Sequence, residues 1–518
     1  MSIPREAYKA LESIVGPEYI SEDPAITQAY SYINYIGLWE NVGIKLHRPA
    51  AVILPSTTEE VQAIIKVCNR YKIPFVPIGS CLWPGAIPSV PNAVLIDPKR
   101  MDRILEIDEK NMYAVVEPYV TFAQLSAEAM KRGLFIPTPE AGSQVSVVAN
   151  YSVFGMQGTA YRTGAGPRGA LAIEWVLPTG EILRIGSASL PGSKYFCEEG
   201  PGPSLRGVLR GVIGHFGGLG MVTKMGVRLH PWPGPREFPC TGKWPLIGTE
   251  FPPDRFKIYA IRYPNLEKCI EAMYEIGKAE IGTVLQRWPT ALWLFGHPAI
   301  SKEGFWKEWE TKYWQEKARY AIVIWLTGFS ERQLKYEEKV LKEIVRETGG
   351  ELVSKDEKMY KVLVPGLQGE WFRCGVSTRI FRPTGSYQIV ELGIDSLDHA
   401  AKVIRSAEEA KKEFIEKGFF MDDAESDWIC TYDFAHHAEG EIMFFYNVTK
   451  EGDKAGAAYI VKSIQEDIKR KQYAGLQMGP VHNVIGPAMF NYHLLLKKIK
   501  KTFDPNNISN PPYLIPPE

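Results

Sequence analysis

Apolar residues along Arg48–Gly79, RPAAVILPSTTEEVQAIIKVCNRYKIPFVPIG, change their period twice. Ala51–Leu54 form a short continuous apolar run, the pattern of a buried strand. Val61, Ile64, Ile65 and Cys68 then recur at i, i+3, i+4 and i+7, which predicts a helix with one apolar face. Ser56 and Glu59 match the S-x-x-E capping box that would start it. IPFVPIG returns to a strand and runs straight into VPIGSCLWPGAIPSV (Val76–Val90). A dinucleotide fingerprint would open a second helix here. Pro84, Pro88 and Pro91 forbid one, because proline removes a donor and stops helix propagation. Two readings remain: a tight surface loop, or an irregular backbone whose concave N–H groups bind phosphate without a helix.

The alternation continues downstream. Ala93–Ile96 and Tyr113–Glu117 read as strands, and Phe122–Arg132 as a helix ended by Gly133. Glu140–Ser143 is a second Gly/Ser loop. Tyr161–Gly186 holds a third glycine cluster and then a hairpin turned at Pro178–Gly180. Gly214, Gly217, Gly218 and Gly220 make a fourth, followed by a strand. Four such loops within about 140 residues suggest several backbones approaching one extended ligand. The Pro/Gly-rich stretch His230–Pro245 marks a boundary. Beyond it, charged helices such as ERQLKYEEKVLKEIVRET alternate with strand-like YAIVIWLTG and EIMFFYNV, an α+β region. A last helix ends at Asp504-Pro505, and no repeats appear.

Length and composition narrow the class. A chain of 518 residues should hold two or three domains. Its 60 basic and 60 acidic residues cancel, so nothing favours nucleic acid or an anionic membrane as partner. The Lys-rich run Leu496–Lys501 reads as a solvated helix face. Seven scattered cysteines, never in C-x-x-C, fit reduced thiols and argue against a zinc or iron–sulfur site. The absence of a basic-then-apolar leader and of a membrane span predicts a cytoplasmic protein. Thirteen tryptophans and 25 tyrosines suit a pocket for a planar molecule, although aromatic cores are the commoner reason.

Four stretches carry a named resemblance: Arg48–Ser80, AVVEPYVTFAQL (Ala114–Leu125), GGLGMVTKMGVRLHPWPG (Gly217–Gly234) and TFDPNNISNP (Thr502–Pro511). Together they resemble the vanillyl-alcohol oxidase / p-cresol methylhydroxylase superfamily of FAD-linked oxidoreductases. The resemblance implies an α+β protein with a bipartite PCMH-type FAD-binding domain of two α/β subdomains. A cap domain built on an antiparallel sheet would cover the flavin. The expected boundaries are 1–235 (FAD domain), 236–480 (cap) and 481–518 (a segment returning to the FAD domain).

The family also implies the cofactor residues. Pro77, Ile78, Gly79, Ser80, Cys81, Leu82 and Gly85 would cradle the FAD diphosphate through backbone N–H groups, the charge-assisted kind of hydrogen bond. Glu117, Pro118, Glu140, Gly142, Ser143 and Asn150, with Gly218, Gly220 and Val222, would line the adenine, ribose and flavin sides. Asn510 would return to the isoalloxazine ring. No metal site is implied. His437 or His436 could attach the flavin covalently; the pair could instead bind metal or substrate with Glu439 and Glu441, or sit at a strand start without a role.

The reacting groups match the family less closely than the cofactor loops do. The phenolate-binding Tyr-Arg pair of the alkylphenol relatives falls near Tyr492-His493, and an acidic residue near the flavin falls at Gly166 or Pro167. Arg168 is the nearest charge. The candidate catalytic set is therefore Tyr161, Arg168, Arg379, Tyr492 and His493, with Trp83 and Trp371 as pocket walls. Arg379 and Arg382 could grip a carboxylate, and His482 is an alternative base. The expected activity is dehydrogenation of an alcohol, alkylphenol or related aromatic, with electrons passed to a separate acceptor protein or subunit. Alternatives are a D-lactate/glycolate-type 2-hydroxy-acid dehydrogenase and a flavin electron-relay subunit. A small-molecule substrate and a homo-oligomer are expected.

Overall fold

A computed structural model describes residues 3–31, 36–80, 86–139, 142–153, 155–200, 202, 204–209, 214–237, 240–241, 248–249, 251–295, 301–362, 381–472 and 479–515. The fold is α+β and rests on three main sheets.

The first sheet has the order Ile20–Ser21, Ala51–Ile53, Val94–Ile96, Phe75–Pro77, with the last three strands parallel. The helix Thr58–Tyr71 is its crossover, burying Val61, Ile64, Ile65 and Cys68 as their spacing predicts. Its cap lies one residue later than expected. Thr57, not Ser56, accepts from the Glu60 amide, and Glu60, not Glu59, reaches back to Ser56. Two adjacent pairs satisfied the motif, and the apolar face chose the phase. The helix Phe122–Met130 has the full capping box, Thr121 with Gln124.

The second sheet is antiparallel: Ile104–Asp108, Tyr113–Val116, Met221–Arg228, Ala170–Val176, Ile182–Ile185. Glu174, 1% exposed, joins it to the first layer. Its carboxylate accepts from Thr58 at 2.8 Å and from Arg184 at 2.9 Å, and Lys224 lies 2.9 Å away. Burying a carboxylate is tolerable only with partners of this kind.

The third sheet holds seven antiparallel strands in the order Glu351–Leu352, Phe256–Arg262, Ala321–Thr327, Val284–Arg287, Asp427–Tyr432, His437–Phe444, Gln388–Asp395. Helices Leu266–Lys278, Glu331–Glu347, Leu397–Glu416 and Lys450–Arg470 cover its outer face through Met273, Leu334, Val403 and Ile460. Its inner face carries Trp288, Trp325, Trp428 and Tyr432, and packs on Phe135, Ala160 and Trp232 of the preceding region. Each side chain so buried removes apolar surface worth roughly 1.5–3 kcal/mol from water.

The chain end returns to the first two sheets. Ser509 bridges Phe75, and the Asn510 amide donates to the Phe75 carbonyl at 2.7 Å. Lys500 corrects the reading of its Lys-rich run as a solvated face. It is 3% exposed and donates to Asp504, Gly218 O and Ser509 O at 2.6–2.7 Å. The helix Tyr492–Phe503 turns this one lysine inward, and three acceptors beyond the helix, one of them its C-cap Asp504, satisfy it.

Candidate functional site

The strand Phe75–Pro77 delivers the loop that the sequence singles out. Ile78 donates to Ile96 O at 3.0 Å, and the chain then leaves the sheet through Gly79 and Ser80. Gly79 passes so close to the helix Val147–Val153 that a β-carbon there would lie 2.9 Å from the Ala149 methyl. Cys81, Leu82, Trp83 and Gly85 lie outside the described residues, as does Glu140.

Three other expected segments meet this one. Gly217, at φ +72°, presses on Pro77, where a β-carbon would come within 2.6 Å of the ring. A β-carbon on Gly218 would lie 2.5 Å from Tyr513 O, and one on Gly220, at φ +94°, would collide with Val176 O. The Gly220 amide donates to Ser509 Oγ at 2.8 Å, and Asn510 donates to Phe216 O at 2.6 Å. These glycines thus pack on the protein's own backbone and on the Pro77 ring. Val222 follows in the strand Met221–Arg228 and is buried.

Glu117 is buried, and its carboxylate is engaged by the Arg103 amide and guanidinium at 2.7–3.0 Å. Pro118 O accepts from Ser146 Oγ at 2.6 Å. Gly142 sits at φ +106°, opening the turn before Ser143. Ser143 Oγ, Asn150 Oδ1 and Tyr161 OH, from three different segments, are buried without a hydrogen-bond partner among the described residues. An unpaired buried polar atom costs about 1–3 kcal/mol. A ligand with alternating donors and acceptors, as FAD has, would satisfy them, so the residues present fit that cofactor.

The hairpin between Asp427–Tyr432 and His437–Phe444 docks onto the third glycine cluster. Its turn places Asp433, Phe434 and Ala435 at φ +49°, +53° and +62°, a left-handed run that costs L-residues about 1 kcal/mol each. The Phe434 amide donates to Tyr161 O at 2.8 Å, and the two rings meet edge-on at 5.4 Å. Arg168 pairs with Asp433, so the cation expected near the flavin is already neutralised. Burial raises the Tyr161 phenol above its ordinary range. Burial first, then the charges of Arg168 and His436, lowers the pKa of His437.

Register decides what the inner face offers. His437 lies opposite Tyr432, Glu439 opposite Cys430 and Glu441 opposite Trp428, so all six share one face. Tyr432 donates to Glu439 at 2.8 Å, and Tyr387 donates to Glu441. Gln286 reaches across to Gly158 O and also accepts from Trp288 and Trp428. His436, by contrast, is exposed. No three ligating side chains among the described residues come together as a metal site. Sequence reasoning names Glu439 and Glu441 only beside the histidine pair and passes over Cys430, Tyr432, Tyr387 and Gln286. The period-two alternation from His437 is the available signal.

Tyr492 and His493 open the last helix and form a group with His482, whose Nδ1 is 2.6 Å from the Tyr492 hydroxyl. Burial lowers the His482 pKa to about 4, so its ring is neutral near pH 7. Arg379 and Trp371 lie outside the described residues, while Arg382 is half-buried.

Residues 49–186 match the family model of an FAD binding domain. The 4-cresol dehydrogenase [hydroxylating] flavoprotein subunit of Pseudomonas putida is 29% identical over 226 residues, 41% of each chain. A glycolate oxidase subunit of Bacillus subtilis is 30% identical over 236 residues, 45% of this chain and 46% of that one. The chain thus spans less than half the length of these curated relatives. The folds agree over far more. A substrate-bound p-cresol methylhydroxylase structure superposes with a TM-score of 0.76 at 18% identity, over 99% of this chain and 98% of that one. A 4-ethylphenol oxidase from Gulosibacter chungangensis in complex with isoeugenol gives 0.75 at 20% identity, over 100% and 98%. Residues 49–186 thus carry an FAD-binding domain, and the whole chain shares the fold of the p-cresol methylhydroxylase structure.

Proposed function

We propose that this protein is an FAD-dependent oxidoreductase that dehydrogenates an alcohol, an alkylphenol or a related aromatic. FAD, when bound, supplies the electron sink. Pro77–Ser80, Gly142, Ser143, Asn150, Gly218–Val222 and Asn510 hold it, in a domain formed by residues 1–235 and 481–518. Residues 236–480 cover the substrate.

One observation favours this substrate class: the inner face of the seven-stranded sheet carries Glu439 and Glu441, each accepting from a tyrosine, among tryptophans. Such a face suits a neutral aromatic or alcohol, with a carboxylate to take a hydroxyl proton. It repels a carboxylate substrate, and Arg168, the charge expected nearest the flavin, is paired with Asp433. Glu439 is the proposed base. Tyr161 and Tyr492 orient the substrate, and His437, on the inner face, is the proposed point of covalent FAD attachment. The electrons pass to a separate protein, in line with the cresol relative being named a flavoprotein subunit.

A second reading, oxidation of a 2-hydroxy acid, is favoured by the matches to a glycolate oxidase subunit and to D-lactate dehydrogenases. Anaerobic mixing separates the two. Bleaching of the flavin by 4-alkylphenols or benzylic alcohols supports the first, and bleaching by glycolate or D-lactate alone supports the second. Bleaching by neither would leave an electron-relay subunit. Glu439→Gln should slow bleaching by about 10²–10⁴-fold at unchanged FAD content, the usual range for removing a general base.

A further inference from the structure

At the start of the last helix the protein exposes an apolar corner on a segment that is basic and contains no acidic residue. Phe490 is 104% exposed, Leu494 45% and Leu495 61%, with Val484 at 68% in the preceding helix Gly479–Ile485. Residues 479–503 contain four lysines and no aspartate or glutamate, within a chain whose net charge is zero. Lys500 is buried, but Lys498 and Lys501 are exposed. They follow Leu494 at i+4 and i+7, on the helix face opposed to the inward Leu496, Ile499 and Phe503.

The backbone adds a second observation. Phe490 and Asn491 sit at φ +52° and +60°, and for a bulky residue that conformation is a true outlier. The turn is strained, and what it holds out is a fully accessible aromatic ring. The neighbouring side chains are well anchored. Tyr492 bonds His482, and His493 packs so tightly on Gly486 that no β-carbon would fit there. Phe490 therefore projects from a braced turn.

Exposed apolar side chains on one helix end, with lysines further along the same helix face, are an arrangement that lies on a lipid surface. Apolar side chains enter the acyl boundary, and lysines with long apolar stems stay at the headgroups. A protein partner would have to offer a matching hollow, and an acid-free lysine rim selects for negative charge in either case. We propose that this corner seats the protein on an anionic membrane surface, lying on it without spanning it. No helix among the described residues is long and apolar enough to cross a membrane. The proposal stands independently of the substrate.

The test is co-sedimentation of the full-length, FAD-loaded protein with vesicles of phosphatidylcholine alone, or with added phosphatidylglycerol. Binding is expected on the phosphatidylglycerol vesicles at low salt and should fall as salt rises. A lysine near such a surface is worth about 1 kcal/mol, or about fivefold, so Lys498→Gln with Lys501→Gln should weaken it about 25-fold. Phe490→Ser with Leu495→Ser should weaken it on the same vesicles. These side chains are exposed, so circular dichroism and FAD content should stay as in the unchanged protein. Absence of binding to phosphatidylglycerol vesicles, or binding indifferent to all four substitutions, overturns the proposal. So does sedimentation velocity without lipid, if it reveals a dimer that Phe490→Ser dissociates, since the corner would then bind a second copy.

Discussion

At Gly220 there is no room for one carbon, whereas at Glu439 the sheet accommodates a whole buried carboxylate. Gly217, Gly218 and Gly220 press on the Pro77 ring, Tyr513 O and Val176 O, so the proposed cofactor side is made of backbone packed on backbone and on one rigid ring. The proposed cap side is made of side chains: Tyr432 on Glu439, Tyr387 on Glu441, and Trp288 and Trp428 on Gln286. Backbone packing tolerates almost no substitution, because any side chain strikes an atom that cannot rotate away. A face of side chains can be rewritten residue by residue while the sheet beneath it stays paired. The first side suits a constant cofactor, and the second suits a substrate that differs between relatives.

The largest expected effect tests the rigid side. Gly220→Val adds a branched side chain at φ +94° and drives it into Val176 O. It should cost at least about 3 kcal/mol in chemical denaturation and leave purified protein short of FAD. A variant with normal stability and full FAD would break the comparison.

A pH titration sharpens it next. His215, behind the same glycine loop, accepts from the Leu219 amide at 3.4 Å. Burial, and secondarily the Lys500 charge, lowers its pKa to about 4. The folded state therefore binds fewer protons than the unfolded chain, whose histidine titrates near 6.5. This contribution is fully present above about pH 6.5 and is lost as pH falls through 4, amounting to about 3 kcal/mol. His215→Gln should flatten that acid slope, and an unchanged slope would assign it to other groups.

The smallest effect belongs to the cap. Tyr387→Phe removes the donor to Glu441 and should cost only about 1–2 kcal/mol of stability. FAD content should be unchanged, while kcat/KM for substrate shifts. Loss of FAD from this variant would show that the two sides are not separable.

Most of the cofactor side is legible in the amino-acid sequence. Its strands, the apolar face Val61–Cys68 and the Asp504-Pro505 stop are local signals, and the glycine clusters mark where backbones must approach. The capping residue differs by one position because Ser56 and Thr57 both satisfy the motif. Lys500 departs from its expected solvated face because a lysine in a basic run carries no local sign of burial. Its acceptors Gly218 and Ser509 are brought to it by the fold, one of them from the far end of the glycine loop.

On the cap, the alternation His437, Glu439, Glu441 is present in the sequence, and it determined that these side chains share a face. It could not determine that the face is inward, nor that Tyr432, Cys430 and Trp428 stand opposite. Strand register is set by pairing, and a shift of one residue would turn the whole stripe outward. The pairing of Arg168 with Asp433 was equally invisible. The sequence by itself carried the resemblance that implies FAD, because the stretches that bear it are glycines and turns a few residues long. Tertiary structure alone decided which charges are already paired and which carboxylates face inward, because burial and pairing join residues from separate elements.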